Sequence, residues 1–351
     1  MVIEKCVQGG FGLGRLPNGT VCFVDGALPG ELAEIKITEQ KKDFAKARIE
    51  KILEPNAGRR NPPCRYYGKC GGCNAQHATF ELQTELLRQI VLDLFSRTAK
   101  LNLPRFEIHS GAEWGYRSRA RVFATGKNIP CGFKSRFSNT VIPIERCMVL
   151  SEKLNEIMGK KEGFKTHIFD NLSEKFLGKY IHADESVFFQ SNLEMLSKLL
   201  NEVKKAAGGG ELFLDIFCGV GLFSSFLQSD FESVIAVEQN VLCKKFAEKN
   251  LGKNCAFYAM SAQEWCGENS ELLGKACVLI DPPRAGITDE LCALLCKDKP
   301  RELIYVSCNP ATLARDTRKL LNEGYKLADI QGFAFYPQTF HLEMMAVFSS
   351  P

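Results

Sequence analysis

No apolar run in the 351 residues approaches the roughly 18 needed to cross a bilayer, so no membrane-spanning helix and no membrane partner are expected. The first residues, MVIEKCVQGG, lack the basic, apolar and small-residue pattern of a secretory signal. The chain is therefore expected in the cytoplasm, where thiols stay reduced and a disulfide framework is excluded. That exclusion matters because cysteine itself is plentiful. There are 15, dispersed through a chain too long to be a disulfide scaffold, and the clustered ones read as metal ligands. A strong net charge is also missing, at +4 overall, but the balance hides an asymmetry. Residues 1–150 hold 23 Lys and Arg against 14 Asp and Glu, a net of +9, while the remainder holds 22 against 27, a net of −5. The basic half is a candidate surface for a phosphate backbone. A chain of this length has room for two or three domains with cores, and monomer is the default.

Residues 1–55 read as short strands between turns: glycines at 9, 10, 12 and 14, Pro17-Asn18-Gly19, and the turn ALPG at 27–30. Five such strands carrying Lys36, Lys41, Lys42, Lys46, Arg48 and Lys51 suggest a small oligonucleotide-binding barrel. The Pro- and Arg-rich linker EPNAGRRNPP then opens a second domain, residues 56–185. It begins with Cys64, Cys70 and Cys73 in a C-x5-C-x2-C spacing that can surround one metal centre. A fourth donor is needed. Cys131, Cys147 and His77 compete for it, and Cys147 is preferred because the strand NTVIPIER could carry it back to the others. Spacing alone leaves iron–sulfur and zinc level. Phe80 to Leu94 has the period of an amphipathic helix. The following stretch, WGYRSRARVFATGKNIPCGFKSRF, interleaves Arg117, Arg119, Arg121, Lys134 and Arg136 with aromatic rings, a pattern suited to splayed single-stranded RNA.

Residues 186–351 read as a third, α/β domain. After the helix Leu193 to Ala207, a strand from Leu212 to Phe217 meets the glycine turn Cys218-Gly219-Val220-Gly221. Gly219 and Gly221 would let the backbone approach a ligand, and Glu238, 23 positions beyond Asp215, could grip a ribose hydroxyl pair. The apolar strand Ala276 to Ile280 ends in Asp281-Pro282-Pro283-Arg284, whose prolines fix a loop over the ligand crevice. A second buried run, Leu303 to Val306, delivers Cys308 to the same carboxyl edge, with a helix from Thr312. GFAFYPQ and FHLEMMAVFSS would close the sheet. Glu343 lies in the middle of that last apolar run, where an acid is costly unless paired or functional.

With these pieces assembled, the chain resembles the RNA 5-methyluridine methyltransferases that use S-adenosylmethionine. The likeness runs through DGALPGE (which also resembles the RNA-binding TRAM barrel), the cysteine set, WGYRSRAR, FFQSN, DIFCGVG, DPPRAG, SCNPATLARD and HLEMMAVF. It implies a Rossmann-like methyltransferase domain preceded by a TRAM barrel and a central α+β iron–sulfur domain. It also implies a [4Fe–4S] cluster on Cys64, Cys70, Cys73 and Cys147, Cys308 as nucleophile and Glu343 as base. Gln190, Phe217, Glu238 and Asp281 would contact the methyl donor or the site around it. Barrel and cluster together resemble the branch acting on 23S ribosomal RNA; the bacterial tRNA branch, the alternative, generally lacks both. Leu222 and Ser261 stand where relatives often have Asn, a departure that touches the details of donor contacts.

The chemistry asks for the same residues. Carbon-5 of uracil is a poor nucleophile until a thiolate adds at C6 and makes an enolate. After methylation a carboxylate must take the C5 proton so that the thiolate can leave. The base must leave its stack, and Phe188 is a candidate partner for it. An amino-group methyltransferase would give a Cys–Glu pair no task, and a noncatalytic RNA-binding protein would have no use for either residue.

Overall fold

The structure is a computed structural model that describes residues 1–123, 131–160, 166–169 and 176–350. Residues 124–130, part of the Arg–aromatic stretch, lie outside the described residues. The chain divides into two units. One comprises Met1–Asp93, Ala112–Ile168 and Tyr336–His341; the other comprises Leu94–Gly111, Phe169–Phe335 and Leu342–Pro351.

The first unit opens with strands β1 (Ile3–Val7), β2 (Phe11–Arg15), β3 (Val21–Asp25), β4 (Leu32–Gln40) and β5 (Phe44–Glu54), in the sheet order β1-β2-β3-β5-β4. An antiparallel bridge from Val2 to Leu32 and the Ile3 N–H donating to Glu31 O at 2.9 Å join the first strand to the fourth and close the barrel. Alternate residues point inward, so Ile3, Cys22, Val24, Ala27, Ala45 and Ala47 form its core. The DGALPGE turn has a physical purpose. Glu31 is fully buried, and its carboxylate accepts from Leu28 N at 2.8 Å, from Asn56 N at 3.2 Å and from the Arg59 fork. Burial pushes Glu31 up, but Arg59 and the two amides outweigh it and hold the carboxyl below its usual range. Removing one partner of such a buried pair costs about 3–5 kcal/mol.

Helix α1 (Phe80–Leu94) follows, burying Leu86, Leu87, Ile90 and Val91 at the spacing its sequence period predicts. Strand β6 (Ile108–His109) belongs to the second unit. Back in the first come β7 (Arg119–Val122), β8 (Gly132–Lys134), β9 (Val141–Pro143), helix α2 (Glu152–Lys160) and β10 (Thr166–Phe169). In β7 Ala120 and Val122 face a core shared with Cys131, Ile144, Leu150, Leu154 and Met158, while Arg121 is exposed.

The metal centre expected from the cysteines is not found. Among the described residues no three His, Cys, Asp or Glu side chains form a group that could hold a metal ion, so neither an iron–sulfur cluster nor zinc is supported on Cys64, Cys70, Cys73 and Cys147. Burial pushes the Cys73 thiol up to about 12 and raises those of Cys70 and Cys147, with Cys64 adding to each rise.

The second unit is a doubly wound sheet. Its elements are α3 (Leu193–Ala207), β11 (Gly210–Ile216), α4 (Leu222–Leu227), β12 (Phe231–Val237), α5 (Lys244–Asn250), β13 (Cys255–Tyr258), α6 (Ala262–Glu268) and α7 (Ser270–Leu273). There follow β14 (Cys277–Ile280), α8 (Asp289–Asp298), β15 (Glu302–Ser307), α9 (Pro310–Asn322), β16 (Lys326–Phe333) and β17 (Glu343–Ser349). Strand order is β13-β12-β11-β14-β15-β17-β16-β6, parallel from β13 to β15, with β17 antiparallel to both neighbours. Helices cover both faces of the parallel part, which is why β14 and most of β15 read as unbroken apolar runs. At the end of the sheet, the penultimate strand is the polar-flecked Lys326–Phe333 and not GFAFYPQ. Its exposed alternate positions gave no strong apolar signal. Glu343 accordingly begins β17 and does not sit inside it.

Candidate active site

Strands β11 and β14 are neighbours in the sheet, although β12 and β13 lie between them in the chain on one side only. Such a reversal opens a crevice at the strands' carboxyl ends. The chain leaving β11 there is tightly wound: Phe217, Gly219 and Gly221 all have positive φ, at 65°, 55° and 77°. For glycine this is free. For phenylalanine it is strain of the kind that concentrates at functional sites. A Cβ on Gly221 would stand 3.0 Å from the Leu251 side chain, so the turn also needs the space. Glu238, at the end of β12, fixes the loop by accepting from Gly219 N at 3.1 Å and Asn240 N at 2.7 Å. Beneath it Asp215 is fully buried, accepts from Ser224 N at 3.0 Å and Oγ at 2.6 Å, and is pushed up to about 6 by burial. Asp281, whose N–H donates to Ile216 O at 3.2 Å, is raised to about 7 by burial and then by Asp215 and Glu238.

Across the same edge stand Cys308 and Glu343. The β15–β17 ladder ends with Ser307 opposite Met344, so Cys308, the next residue after β15, and Glu343, the first of β17, lie at the same end of the two adjoining strands. On its other side Glu343 pairs with Phe333. Glu343 is 3% exposed, and its Oε1 has no hydrogen-bond partner among the described residues. Burial holds its carboxyl well above the usual range; Asp281 adds to the rise and Arg284 opposes it. The half-buried Cys308 thiol is pushed up to about 11 by burial, by Glu343 and by Asp281, and Arg284 again pulls the other way.

Arg284 is therefore the cation acting on both groups, and its loop is anchored accordingly. Asn309 caps α9 through Ala311 N at 3.2 Å and donates to Arg284 O at 3.0 Å, which also accepts from Thr312 Oγ1 at 3.3 Å. The buried Asp316 accepts from Ile287 N at 3.1 Å and the Tyr305 hydroxyl at 2.9 Å. Gly286, at φ 77°, passes so close that a Cβ there would lie 2.3 Å from Asp316 Oδ2. Sequence reading missed Arg284, Asn309 and Asp316 as contributors. The one available signal was Asn-Pro after the cysteine, a helix cap followed by proline in the first turn.

Phe188 is 71% exposed on the segment entering α3, and Gln190 two residues on keeps a buried Oε1 with no partner among the described residues. Asn192 caps α3 and donates to Phe335 O at 3.0 Å, tying this segment to the chain just past β16. The second unit thus contains Cys308, Glu343, Asp281, Glu238, Phe217, Gly219, Gly221, Gln190 and Phe188. Arg117 and Arg119 belong to the first. Arg117 Nε donates to Arg119 O at 2.8 Å, and its guanidinium lies 5.9 Å from the Tyr336 ring centre.

Residues 171–350 match the family described as tRNA (uracil-5-)-methyltransferase, and residues 3–49 match the TRAM domain. An uncharacterized RNA methyltransferase of Treponema denticola is 32% identical over 98% of this chain and 97% of its own length. The 23S rRNA (uracil(1939)-C(5))-methyltransferase RlmD of Shewanella amazonensis is 32% identical over 94% of this chain and 91% of its own. A solved structure, the Pyrococcus abyssi tRNA (uracil-54, C5)-methyltransferase in complex with S-adenosyl-L-homocysteine, shares the fold with a TM-score of 0.75 over 99% of both chains at 21% identity. With a family match across half the chain and relatives aligned almost end to end, the chain belongs to the tRNA (uracil-5-)-methyltransferase family.

Proposed function

We propose that this chain, an RNA uracil-5-methyltransferase using S-adenosylmethionine, modifies 23S ribosomal RNA through Cys308 as nucleophile and Glu343 as base. The observation that carries the assignment of roles is that Cys308, just past β15, and the buried Glu343, first in the adjoining β17, stand at the same carboxyl edge of the sheet, close enough for Glu343 to raise the Cys308 thiol. S-adenosylmethionine supplies an electrophilic methyl group on a cationic sulfur. The wound loop at Phe217, Gly219 and Gly221, with Glu238, Asp281 and Gln190, fits such a donor, since acidic groups gathered at one crevice suit a cation. Cys308, as thiolate, forms a bond to C6 and drives the electron pair towards C5, which takes the methyl group. Glu343 then removes the C5 proton, the C6–sulfur bond breaks and the thiolate departs. Phe188, exposed on the segment entering α3, is the stacking partner for the extruded uracil on this reading.

A barrel over residues 1–55 and a central region over 56–185, with Arg117 and Arg119, would grip the RNA, leaving 186–351 for catalysis. Support for ribosomal RNA comes from the Shewanella relative's activity and from the barrel that this chain carries. Among the described residues no helix is long and apolar enough to cross a membrane, and a ribosomal substrate places the enzyme in the cytoplasm. Methyl incorporation should be compared on 23S rRNA fragments and on a tRNA T-arm. Incorporation into rRNA supports the proposal; incorporation into tRNA alone keeps the chemistry and overturns the substrate.

The pH dependence follows from the two raised groups. Cys308 reacts as thiolate and Glu343 as carboxylate, and both are protonated more readily here than in water. Activity should therefore climb with pH, with covalent capture of RNA rising about tenfold per unit between about pH 7 and about pH 9. Stopped reactions on a denaturing gel would measure it, and a flat or falling profile would refute the thiol assignment.

A further inference from the structure

We infer, on the reading of Cys308 as the nucleophile, that Arg315 and Asp316 are positioning residues: they lock the loop carrying Arg284 against the strand and helix on either side of Cys308, and so keep a cation beside the reacting thiol. All of these residues belong to the second unit. Asp316 is fully buried in α9, and one of its oxygens joins two other elements. Its Oδ2 accepts from the hydroxyl of Tyr305, three residues before Cys308 in β15, at 2.9 Å, and from Ile287 N, three residues after Arg284, at 3.1 Å. Its Oδ1 accepts from Arg315 Nε at 2.8 Å. Arg315 Nη2 reaches on to the loop, donating to Ala285 O at 2.8 Å and to Ile287 O at 3.4 Å. Asn309, next to Cys308, and Thr312 hold Arg284 O. Within the loop Gly286 N donates to Pro283 O at 2.8 Å, and a Cβ on Gly286 would lie 2.3 Å from Asp316 Oδ2 and 2.6 Å from Arg315 Nη2.

Core packing alone does not ask for a charged pair here, since well-packed apolar residues of similar volume are often as stabilising as a buried ion pair. What the pair provides is a grip on the backbone at Ala285 and Ile287, added to the grip of Asn309 and Thr312 on Arg284. The loop and the helix that starts two residues past Cys308 thus form one piece. Arg284 itself is exposed, so packing does not hold its side chain and the anchored backbone sets its place. That place matters to the thiol. Burial, Glu343 from β17 and Asp281 from the end of β14 raise Cys308, and Arg284 opposes them. The effect of a charge falls with distance, so a loop released from α9 leaves less thiolate at a given pH.

Arg315→Ala removes the bonds to the loop, and Asp316→Asn breaks the charge pairing while keeping the shape. For each, the rate of capture by 5-fluorouridine RNA with S-adenosylmethionine would be measured at about pH 8. The ratio of Cys308 alkylation by anionic iodoacetate to that by neutral iodoacetamide would be measured on the same protein by mass spectrometry. This ratio reports the charge around the thiol, which a general loosening of the fold would not lower. The expected result is a fall in capture of about tenfold, with the ratio falling towards that of Arg284→Ala. In an Arg284→Ala background, Arg315→Ala should have no further effect on capture, because the group it positions is gone. A full second loss in that background would mark the pair as merely structural; an unchanged ratio or unchanged capture would also overturn the proposal. If Arg315→Ala fails to fold, Arg315→Lys is judged by the same outcomes, since one ammonium keeps the charge but cannot take both Asp316 and Ala285. Wild type and Cys308→Ala, run in parallel, separate the two readings. If wild type is captured through Cys308 and the variants match it, the positioning role alone falls; if Cys308 is not the residue captured, the nucleophile assignment falls and the positioning role with it.

Discussion

Cys308→Ala should abolish methyl transfer, with turnover down by on the order of 10⁶-fold, as expected when a nucleophile is removed from a covalent mechanism. No neighbouring thiol can take over. Cys218, in the wound loop after β11, is buried, and its thiol is held far above the usual range by burial and by Asp215 and Glu238. Cys308 itself is half-buried and makes a small contribution to packing, so folding stability should change by no more than about 1 kcal/mol. Labelled-methyl incorporation and thermal unfolding would be measured on the same preparation. Turnover at even about one-hundredth of wild type in well-folded Cys308→Ala would contradict the role of this thiol.

Glu343→Gln should do something different in kind: it should still methylate once, then stall with RNA covalently attached. Glutamine preserves the shape but cannot take the C5 proton, a step for which a placed base contributes about 10²–10⁴-fold. Release should slow by that factor while the first methyl transfer proceeds. The same substitution carries a stability signature. Burial raises the Glu343 pKa in the folded chain, so folding with this group is favoured at low pH, and that contribution is lost as pH rises through the folded-state value. Glutamine has no such loss, so the variant should gain in thermal stability relative to wild type as pH increases. Rapid release at normal turnover, or a stability difference indifferent to pH, would count against the assignment.

The candidate site could be read from the sequence as far as its signals are local. The apolar runs before Asp281 and Cys308 end abruptly, and the sheet buries them on both faces, so their carboxyl ends are where a site was expected. Glu238 and the glycine turn could likewise be read from a strand, a turn and an acid at a familiar interval. The start of β17 could not. HLEMMAVF is apolar throughout, and only the partners Phe333 and Ser307 fix where pairing begins. GFAFYPQ has the composition of a strand, yet Gln338 is bonded to Gln83, 255 residues away, and no local pattern encodes that. For the cysteines the spacing was visible but the environment was not. Burial raises three of those thiols, and no metal-holding group forms among the described residues. Arg284 reads as a loop residue in the sequence, and only the fold brings Asn309 and Thr312 to its carbonyl.

The most direct test is covalent trapping with 5-fluorouridine RNA in the presence of S-adenosylmethionine. Fluorine at C5 cannot leave as a proton, so the thiol that adds to C6 stays attached. The predicted result is a donor-dependent complex that survives a denaturing gel, maps by mass spectrometry to the peptide containing Cys308, and disappears in Cys308→Ala. A folded, donor-binding enzyme that forms no such complex, or forms it through another residue, would contradict the mechanism.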